Sequence, residues 1–383
     1  MIIGRIALVG LALVAFNVES TKHLELKPSW TLTLHNPNLN EGVFSEMPQT
    51  NRSCGIARWD QTHVLIYFMS NTKNLVVRSP VATRVGGWSF SILVVRMHDG
   101  EVEQSAIIPA DSSRSELAVV AGGIVVSDRD HLVLYSRAFT RIDPVFVYSP
   151  LGARLRNGEI GDQEYLYVFD DQKHFLLVDN NAHKSHFFLF DGTTLKLLRD
   201  WAFNGVNAER LQIKDRQIIY GRLTLGDHET STFWWTPVDA SNGTAQAFST
   251  PSSDLVCRFP ISTQADTFLD VCGPIKIARD GGSTIVYEPH NDEVVSELAR
   301  LSPDGRYAAI LRYDYKHSGV LDLTEHWIRP GLLIVDLNAS GHVCEIPLDP
   351  VPRSQLAFNF ASDSTLIVLN DGMVSAYKSL CTQ

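Results

Sequence analysis

Short apolar runs alternate with tight polar turns along this chain, most clearly over residues 301–310. There an apolar lead runs into the turn Ser302-Pro303-Asp304-Gly305, and a run of β-forming residues leads out of it. These four residue types favour turns. Looser copies of the unit have acidic turns near positions 60, 128, 171, 215 and 363, with a weaker one at 264–266. A hairpin unit that recurs every few dozen residues predicts an all-β architecture that is closed or stacked.

A second class of turn alternates with the first and is typical of β-hairpins. Its members are Asp99-Gly100, Leu151-Gly152, Asp191-Gly192, Asn242-Gly243, Asn291-Asp292 and residues 338–341. The β-rich runs that enter them are 91–95, 145–148, 187–190, 232–235, 284–287 and 332–335. Asn-Gly and Asp-Gly supply the positive φ that two-residue hairpin turns require. A cycle of about 40 to 60 residues suits the four-stranded blade of a β-propeller.

The sequence contains seven turns of the first class but only six of the second, and the two chain ends account for the difference. The last unit ends after residues 373–377 and lacks an outermost strand, whereas residues 30–34 form a strand-like run without a blade of their own. Pairing the two would close the ring and cover two exposed edges. We therefore favour a single β-propeller over residues 21–383 with seven four-stranded blades, with six or eight as the alternatives. The helix-like spacing of residues 293–301 is interpreted as a strand plus connector.

Two segments resemble the bacterial WD40-like, YVTN and TolB-type β-propellers. Those families share a Ser-Pro-Asp-Gly hairpin followed by an apolar strand and an Asp-x-x-Thr-Gly-like turn. Here the two elements are residues 301–310 and 333–341, the latter reading LIVDLNASG. The Trp-Asp ending of true WD40 repeats is not matched, since Trp59-Asp60 falls in a turn. The resemblance implies an exported scaffold with a ring of loops and does not imply a particular activity.

The amino terminus and the charge bear on the compartment. Arg5 followed by the apolar stretch 6–16 predicts a signal peptide over residues 1–20, with an uncleaved anchor as the alternative. No later stretch is long and apolar enough for a transmembrane helix. The formal net charge of −10 argues against non-specific nucleic-acid binding. We expect an exported protein, periplasmic or extracellular.

Export makes the five cysteines informative. Cys257 and Cys272 are symmetric about the centre of a possible hairpin, so their sulfurs would face each other across adjacent strands as a disulfide candidate. The alternative is a pair of buried thiols. Cys54, Cys344 and Cys381 cannot all pair with one another. The absence of a Cys-x-x-Cys pair argues against a structural zinc site.

Four residues are candidates for ligand contact. His183 and His290 lie in polar clusters, at residues 179–186 and 290–293, that could line a loop-side site or be solvated loops. Trp234 and Trp235 are adjacent on one strand and so face opposite sides, where one could stack on a sugar or peptide and both could instead pack between sheets.

No metal or cofactor is predicted. Asp336, Asn338 and Ser340 match the first half of a calcium loop, but Pro347 stands where the acidic twelfth ligand is needed, so a capped turn is the better account. The sequence contains no Gly-x-Ser-x-Gly elbow, no His-Glu-x-x-His pair and no phosphate loop. It predicts a non-catalytic propeller that binds a protein, peptide or envelope component through one loop face. The alternative is a hydrolase or lyase acting on a sugar or lactone at the central channel.

Overall fold

The computed structural model describes most of the chain in short ranges. They are residues 24–34, 54–72, 87–110, 115–128, 131–147, 163–169, 171–181, 184–204, 208–214, 217–224, 230–237, 246–248, 258–261, 267–271, 273–279, 282–290, 293–315, 327–338, 342–350, 356–370, 372–378 and 380–381. Every regular element within these ranges is a β-strand.

The described strands form seven sheets, numbered here in the chain order of their first strands. Sheet 1 contains β3 (Cys54–Arg58), β4 (His63–Thr72), β5 (Gly87–Arg96) and β6 (Val102–Ala110). Sheet 2 contains β7 (Glu116–Val120), β8 (Gly123–Asp128), β9 (His131–Ser136) and β10 (Arg141–Val147). Sheet 3 contains β11 (Gln163–Val168), β12 (His174–Asn181), β13 (Lys184–Asp191) and β14 (Leu197–Asn204). Sheet 4 contains β15 (Ala208–Lys214), β16 (Gln217–Thr224), β17 (Thr230–Pro237) and β18 (Gln246–Phe248).

The remaining three sheets include the chain's first two strands. Sheet 5 contains β19 (Arg258–Pro260), β20 (Thr267–Asp270), β21 (Ile275–Arg279) and β22 (Gly282–Tyr287). Sheet 6 contains β23 (Glu293–Leu301), β24 (Tyr307–Tyr315), β25 (Trp327–Asp336), β26 (Val343–Pro347) and β1 (Leu24–Glu25). Sheet 7 contains β27 (Leu356–Ser362), β28 (Thr365–Asn370), β29 (Met373–Lys378) and β2 (Trp30–Thr33). Within each sheet, consecutive strands are antiparallel neighbours, as in a chain of hairpins.

Strands buried on both faces explain the continuous apolar runs of the sequence. Along β24, Ala308 and Ile310 pack towards sheet 5, whereas Ala309 and Leu311 pack towards sheet 7. Side chains on a strand alternate between its two faces, so both faces of this strand need apolar residues. The helix-like segment at 293–301 is the strand β23, which confirms its interpretation as β-structure.

Consecutive sheets pack face to face through apolar clusters. Such clusters join sheet 5 to 6, 6 to 7, 7 to 1, 1 to 2 and 2 to 3. Between sheets 2 and 3 the cluster includes Phe175 and Phe190, whose rings stack with centroids 5.0 Å apart. On their inner side, the first strands β23, β27, β3, β7, β11 and β15 lie side by side in that order. Two side chains link these first strands, because Asn359 Nδ2 donates to Ile56 O at 3.0 Å and Glu116 Oε2 accepts from Leu166 N at 2.7 Å.

The Ser302-Pro303-Asp304-Gly305 turn forms as its sequence predicts. The Ser302 hydroxyl accepts from Tyr307 N at 2.8 Å, and Asp304 Oδ1 accepts from Arg306 N at 2.9 Å. Gly305 has a φ of 71°, a left-handed conformation that favours glycine. These bonds satisfy the backbone donors where the chain leaves β23 and enters β24.

The N-terminal segment spans the outer edges of the last two sheets. β1 runs parallel to β26, with Leu24 beside Cys344. β2 runs antiparallel to β29, with Thr31 beside Ser375, which is the pairing expected for residues 30–34. Trp30 also reaches sheet 1, where its Nε1 donates to Met97 O at 2.7 Å. One segment therefore contacts sheets 6, 7 and 1.

The two turn classes alternate along the chain, but they do not occupy the same place in every sheet. The acidic turn near 128 connects β8 to β9, and the first hairpin of sheet 2 instead turns at Ala121-Gly122. This turn contains no acidic residue, so nothing polar marks it in the sequence. Gly123, with a φ of 142°, lies so close to Tyr135 O that a Cβ would clash with that oxygen. Asn291-Asp292 likewise falls between sheets 5 and 6 and not within a hairpin.

Candidate functional site

The strands that flank the longest connections of the chain all end or begin at the same end of the sheets. We call this end the loop end: the first strand of each sheet begins there, and the second strand ends there. The opposite end is the turn end. The four longest connections between strands are residues 34–53, 73–86, 148–162 and 316–326. All four link a second strand to a third or a last strand to the next sheet, so the described strand ends that flank them all lie at the loop end. Connecting segments of this kind commonly carry binding residues on a rigid scaffold.

A polar cluster lies at the loop end of sheet 6, which we call the Arg312 cluster. It consists of Arg312, Glu293, Asp314, Glu345 and Tyr287. The first four lie on β23, β24 and β26 on the face that packs against sheet 5, and Tyr287 ends the last strand of sheet 5. The register places Glu293 directly beside Asp314. The apolar interface between sheets 5 and 6 thus ends in charged groups at the loop end.

Arg312 is surrounded by carboxylates. Its Nε lies 3.5 Å from Glu293 Oε1 and its Nη1 lies 3.7 Å from Asp314 Oδ1, while Nη2 contacts Glu345 Oε1. Gly331 provides the space, since a Cβ there would lie 2.8 Å from Glu345 Oε1. The guanidinium of Arg312 therefore forms ion pairs with carboxylates from three strands, although its buried Nε donates no hydrogen bond to a described residue.

Glu293 is the most buried member of the cluster, with 2% of its side chain exposed. The Tyr287 hydroxyl donates to its carboxylate at 2.7 Å, and the backbone N–H of His290 donates to Oε2 at 3.1 Å. Burial, followed by the hydrogen bond to Glu293, raises the pKa of Tyr287, so this phenol remains a proton donor at neutral pH. A buried carboxylate with these partners is a structural ion-pair member more than an accessible acid or base.

The predicted contact residues belong to different sheets. His290 is exposed and follows sheet 5, two residues after Glu288 and next to the Arg312 cluster. His183 lies outside the described residues, in the loop-end connection between β12 and β13. Trp234 and Trp235 lie on β17, beside Tyr220 and Ile219 of β16, and their side chains are outside the described set. The structure therefore brings the backbone of His290 to the cluster, and the ligand contacts of all four residues stay predictions.

Sequence reasoning missed most of the Arg312 cluster because its members come from separate strands. One signal was present: Arg312 and Asp314 continue the parity of Ala308 and Ile310, which face the interface with sheet 5. Charged residues at positions that should be apolar indicate a buried polar cluster.

The turn end consists of short turns capped by aspartates. Asp60 Oδ1 accepts from Thr62 N at 2.7 Å, and Asp171 Oδ1 accepts from Lys173 N at 2.8 Å. Asp336, the first residue of the half-matched calcium loop, accepts from Asn338 N at 3.0 Å and from Arg306 Nη2 at 2.9 Å. The carboxylate thus caps a turn and pairs with arginine.

The described cysteines include one disulfide. Cys344 of β26 is bonded to Cys381 beyond β29, so the bond joins sheet 6 to the C-terminal segment of sheet 7, with Cα atoms 5.7 Å apart. Cys54 is buried outside this disulfide, and burial raises the pKa of its thiol to about 12. Cys257 and Cys272 lie outside the described residues, although the flanking strands β19 and β20 are antiparallel neighbours.

Comparison with known proteins identifies the class. No protein-family model and no curated protein matches the sequence. The WD40 domain of Neurospora crassa Pan2 aligns with a TM-score of 0.55 and 10% identity, over 94% of this chain and 98% of that domain. The β-propeller domain of the trilobed protease from Pyrococcus furiosus aligns with a TM-score of 0.51 and 8% identity, over 86% of this chain and 96% of that domain. The acylaminoacyl peptidase of Pyrococcus horikoshii aligns with a TM-score of 0.51 and 10% identity, over 82% of this chain but only 48% of the peptidase.

At such identities the likeness concerns the fold alone. The chain has the fold of a β-propeller, as the sequence predicted, and its resemblance to WD40-like proteins is one of scaffold. Within the part of the chain that the structure describes, no helix has the length and hydropathy to cross a membrane.

Proposed function

We propose that this protein is an exported, non-catalytic β-propeller that binds a protein, peptide or envelope component through its loop end. The observation that carries the proposal is that the strands flanking the four longest connections, 34–53, 73–86, 148–162 and 316–326, all end or begin at the same end of the sheets. The turn end offers short aspartate-capped turns instead. A partner would therefore meet the long connections at one end and short turns at the other.

The chemistry of the Arg312 cluster supports binding over catalysis. A general acid or base must reach a substrate proton and hold a pKa near the working pH. Glu293 is buried and already accepts the hydroxyl of Tyr287, and Arg312 lies among three carboxylates. These groups pair with one another, so the cluster acts as a structural contact between sheets 5 and 6.

Export is supported by two independent features. The apolar stretch at 6–16 predicts a signal peptide, and the Cys344–Cys381 disulfide suits an oxidising compartment.

Exchange of one loop-end connection tests the proposal. The purified protein is immobilised and exposed to native envelope and secreted extracts, in parallel with a variant whose residues 316–326 are replaced by a Gly-Ser linker of equal length. A second variant with residues 238–245, a turn-end connection, replaced in the same way is the control. We expect wild type and the control to retain the same partner and the first variant to lose it. Retention by the first variant and loss by the control would contradict the proposal.

The alternative function, a hydrolase or lyase acting on a sugar or lactone, rests on the three carboxylates gathered around Arg312. Its test is turnover of chromogenic glycosides, acidic polysaccharides and lactones by wild type and Glu293→Gln. Turnover that disappears in the variant while the fold is retained would replace the binding proposal. No turnover by the wild type would support it.

A further inference from the structure

An open groove lies at the turn end, where sheets 1 and 2 meet. Its volume is about 610 Å³, and it is lined by the beginning of β6 in sheet 1 and by the turn between β9 and β10 in sheet 2. The lining residues are Gln104, Ser105, Arg137, Ala138 and Phe139, and we call this site the Arg137 groove. A concave site of this size can hold a small organic molecule.

Two backbone carbonyls and an aromatic ring fix the guanidinium of Arg137 in this groove. Its Nη1 donates to Trp59 O, and its Nη2 donates to Val120 O at 3.0 Å. Its Cζ lies 4.1 Å from the centre of the Trp59 ring, which is the geometry of a cation–π contact. Trp59 belongs to sheet 1 and Val120 to sheet 2, so contacts from both sheets orient the arginine before any ligand arrives. An oriented side chain loses little conformational freedom on binding.

The half-buried guanidinium of Arg137 has no carboxylate within ion-pair distance among the described residues. Its two bonds to carbonyls leave its other N–H groups for a ligand. The acidic residues near the groove have other partners, since Asp60 Oδ1 accepts from Thr62 N at 2.7 Å and Glu103 Oε1 lies 2.9 Å from Arg96 Nε. Neither carboxylate forms an ion pair with Arg137.

Phe139 gives the groove an apolar surface beside this charge. Its φ of 59° is a left-handed conformation that is uncommon for a residue other than glycine. Its half-buried ring stacks on Trp59, with the ring centroids 5.8 Å apart. Gln104, on the side of sheet 1, is exposed and carries an amide that can donate hydrogen bonds. A cation, an amide and an aromatic ring therefore line the same groove.

We propose that the Arg137 groove binds a small organic oxyanion, with its carboxylate or phosphate group on Arg137 and its apolar part on Phe139. The planar guanidinium offers a fork of donors that matches the oxygens of either group. The partly buried setting strengthens such a pair relative to water. This site lies at the turn end and is independent of the partner proposed for the loop end.

Ligand binding by the full-length protein tests the assignment, with benzoate, phenyl phosphate and neutral benzamide as probes. Each probe is titrated separately by calorimetry at equal ionic strength. We expect at least one of the two anions to bind wild type, and benzamide, which has the shape of benzoate without its charge, to bind at least about 10-fold more weakly. The anion that binds identifies the ligand group. Benzamide binding as tightly as the anions, or no binding of either anion, would overturn the proposal.

Gln104→Glu places a carboxylate in the groove without changing the shape of the side chain. It should compete for Arg137 and weaken anion binding at least about 10-fold. Ser283→Glu adds the same charge at an exposed position of β22, the last strand of sheet 5, and should bind as wild type does. Arg137→Met should also lose binding, but it removes two structural hydrogen bonds as well, so Gln104→Glu is the deciding variant. Undiminished binding by Gln104→Glu would overturn the proposal, as would an equal loss in Ser283→Glu.

Discussion

Gly55 has no side chain, and the ring of Tyr67 packs against it. The Tyr67 ring lies where a Cβ would stand, so Gly55→Ala must displace that ring or bend β3. We expect a loss of about 1–3 kcal/mol in the free energy of unfolding, measured by urea denaturation. Gly282→Ala is the matched control, since a Cβ there meets nothing within 4 Å. Equal effects of the two substitutions would contradict the packing described for Tyr67.

The aspartates of the turns make the stability depend on pH. Burial alone would raise the pKa of Asp191, but hydrogen bonds from Thr193 N at 2.9 Å and from the N–H and hydroxyl of Thr194 lower it overall. The pKa is then lower in the folded state than in the unfolded one. Its stabilising contribution is therefore present above about pH 4 and is lost as the pH falls through the folded pKa.

Asp191→Asn should consequently be less stable than wild type at pH 7 and closer to wild type at pH 3. Thermal unfolding at the two pH values measures the difference. A gap of the same size at both pH values would show that the charge of Asp191 does not contribute.

At the scale of elements, the contact between sheets 5 and 6 depends on a hydroxyl and a carboxylate. Tyr287→Phe removes the hydroxyl that donates to buried Glu293 and should cost about 1–3 kcal/mol in the free energy of unfolding. Adding Glu293→Gln completes a double-mutant cycle, and we expect the two losses to be less than additive. Strict additivity would mean that the two side chains do not interact.

The disulfide holds the C-terminal segment on sheet 6. Replacing Cys344 and Cys381 by serine should lower the free energy of unfolding by about 2–4 kcal/mol, because the open chain gains freedom when unfolded. Denaturation with and without a reducing agent measures this. Wild type should respond to reduction whereas the double variant should not, and an equal response would contradict the assigned pairing.

Local patterns predicted the elements well, and long-range contacts set the limit. The strands at 30–34 and 293–301 could be identified because alternation and β-forming residues are local properties. The turn at Ala121-Gly122 could not, since no polar residue interrupts the apolar run. The surroundings of Arg312 depend on residues from other strands and sheets, and no spacing within one segment records such contacts.

At the scale of the whole molecule, the two ends of the sheets differ in kind. Aspartate-capped turns lie at the turn end, and the strands that flank the long connections end or begin at the loop end, where His290 and the Arg312 cluster lie. The N-terminal segment and the disulfide both act on sheets 6 and 7, where the two chain ends meet. This arrangement suits a stable frame that presents one binding surface.

Site-specific photocrosslinking tests that division most directly. A photoreactive amino acid is placed at His290 at the loop end or at Thr193 at the turn end, both exposed, and each protein is irradiated in native extract. We predict a discrete adduct from position 290 and none of that mass from position 193. The same adduct from position 193 with none from position 290 would contradict partner binding through the loop end.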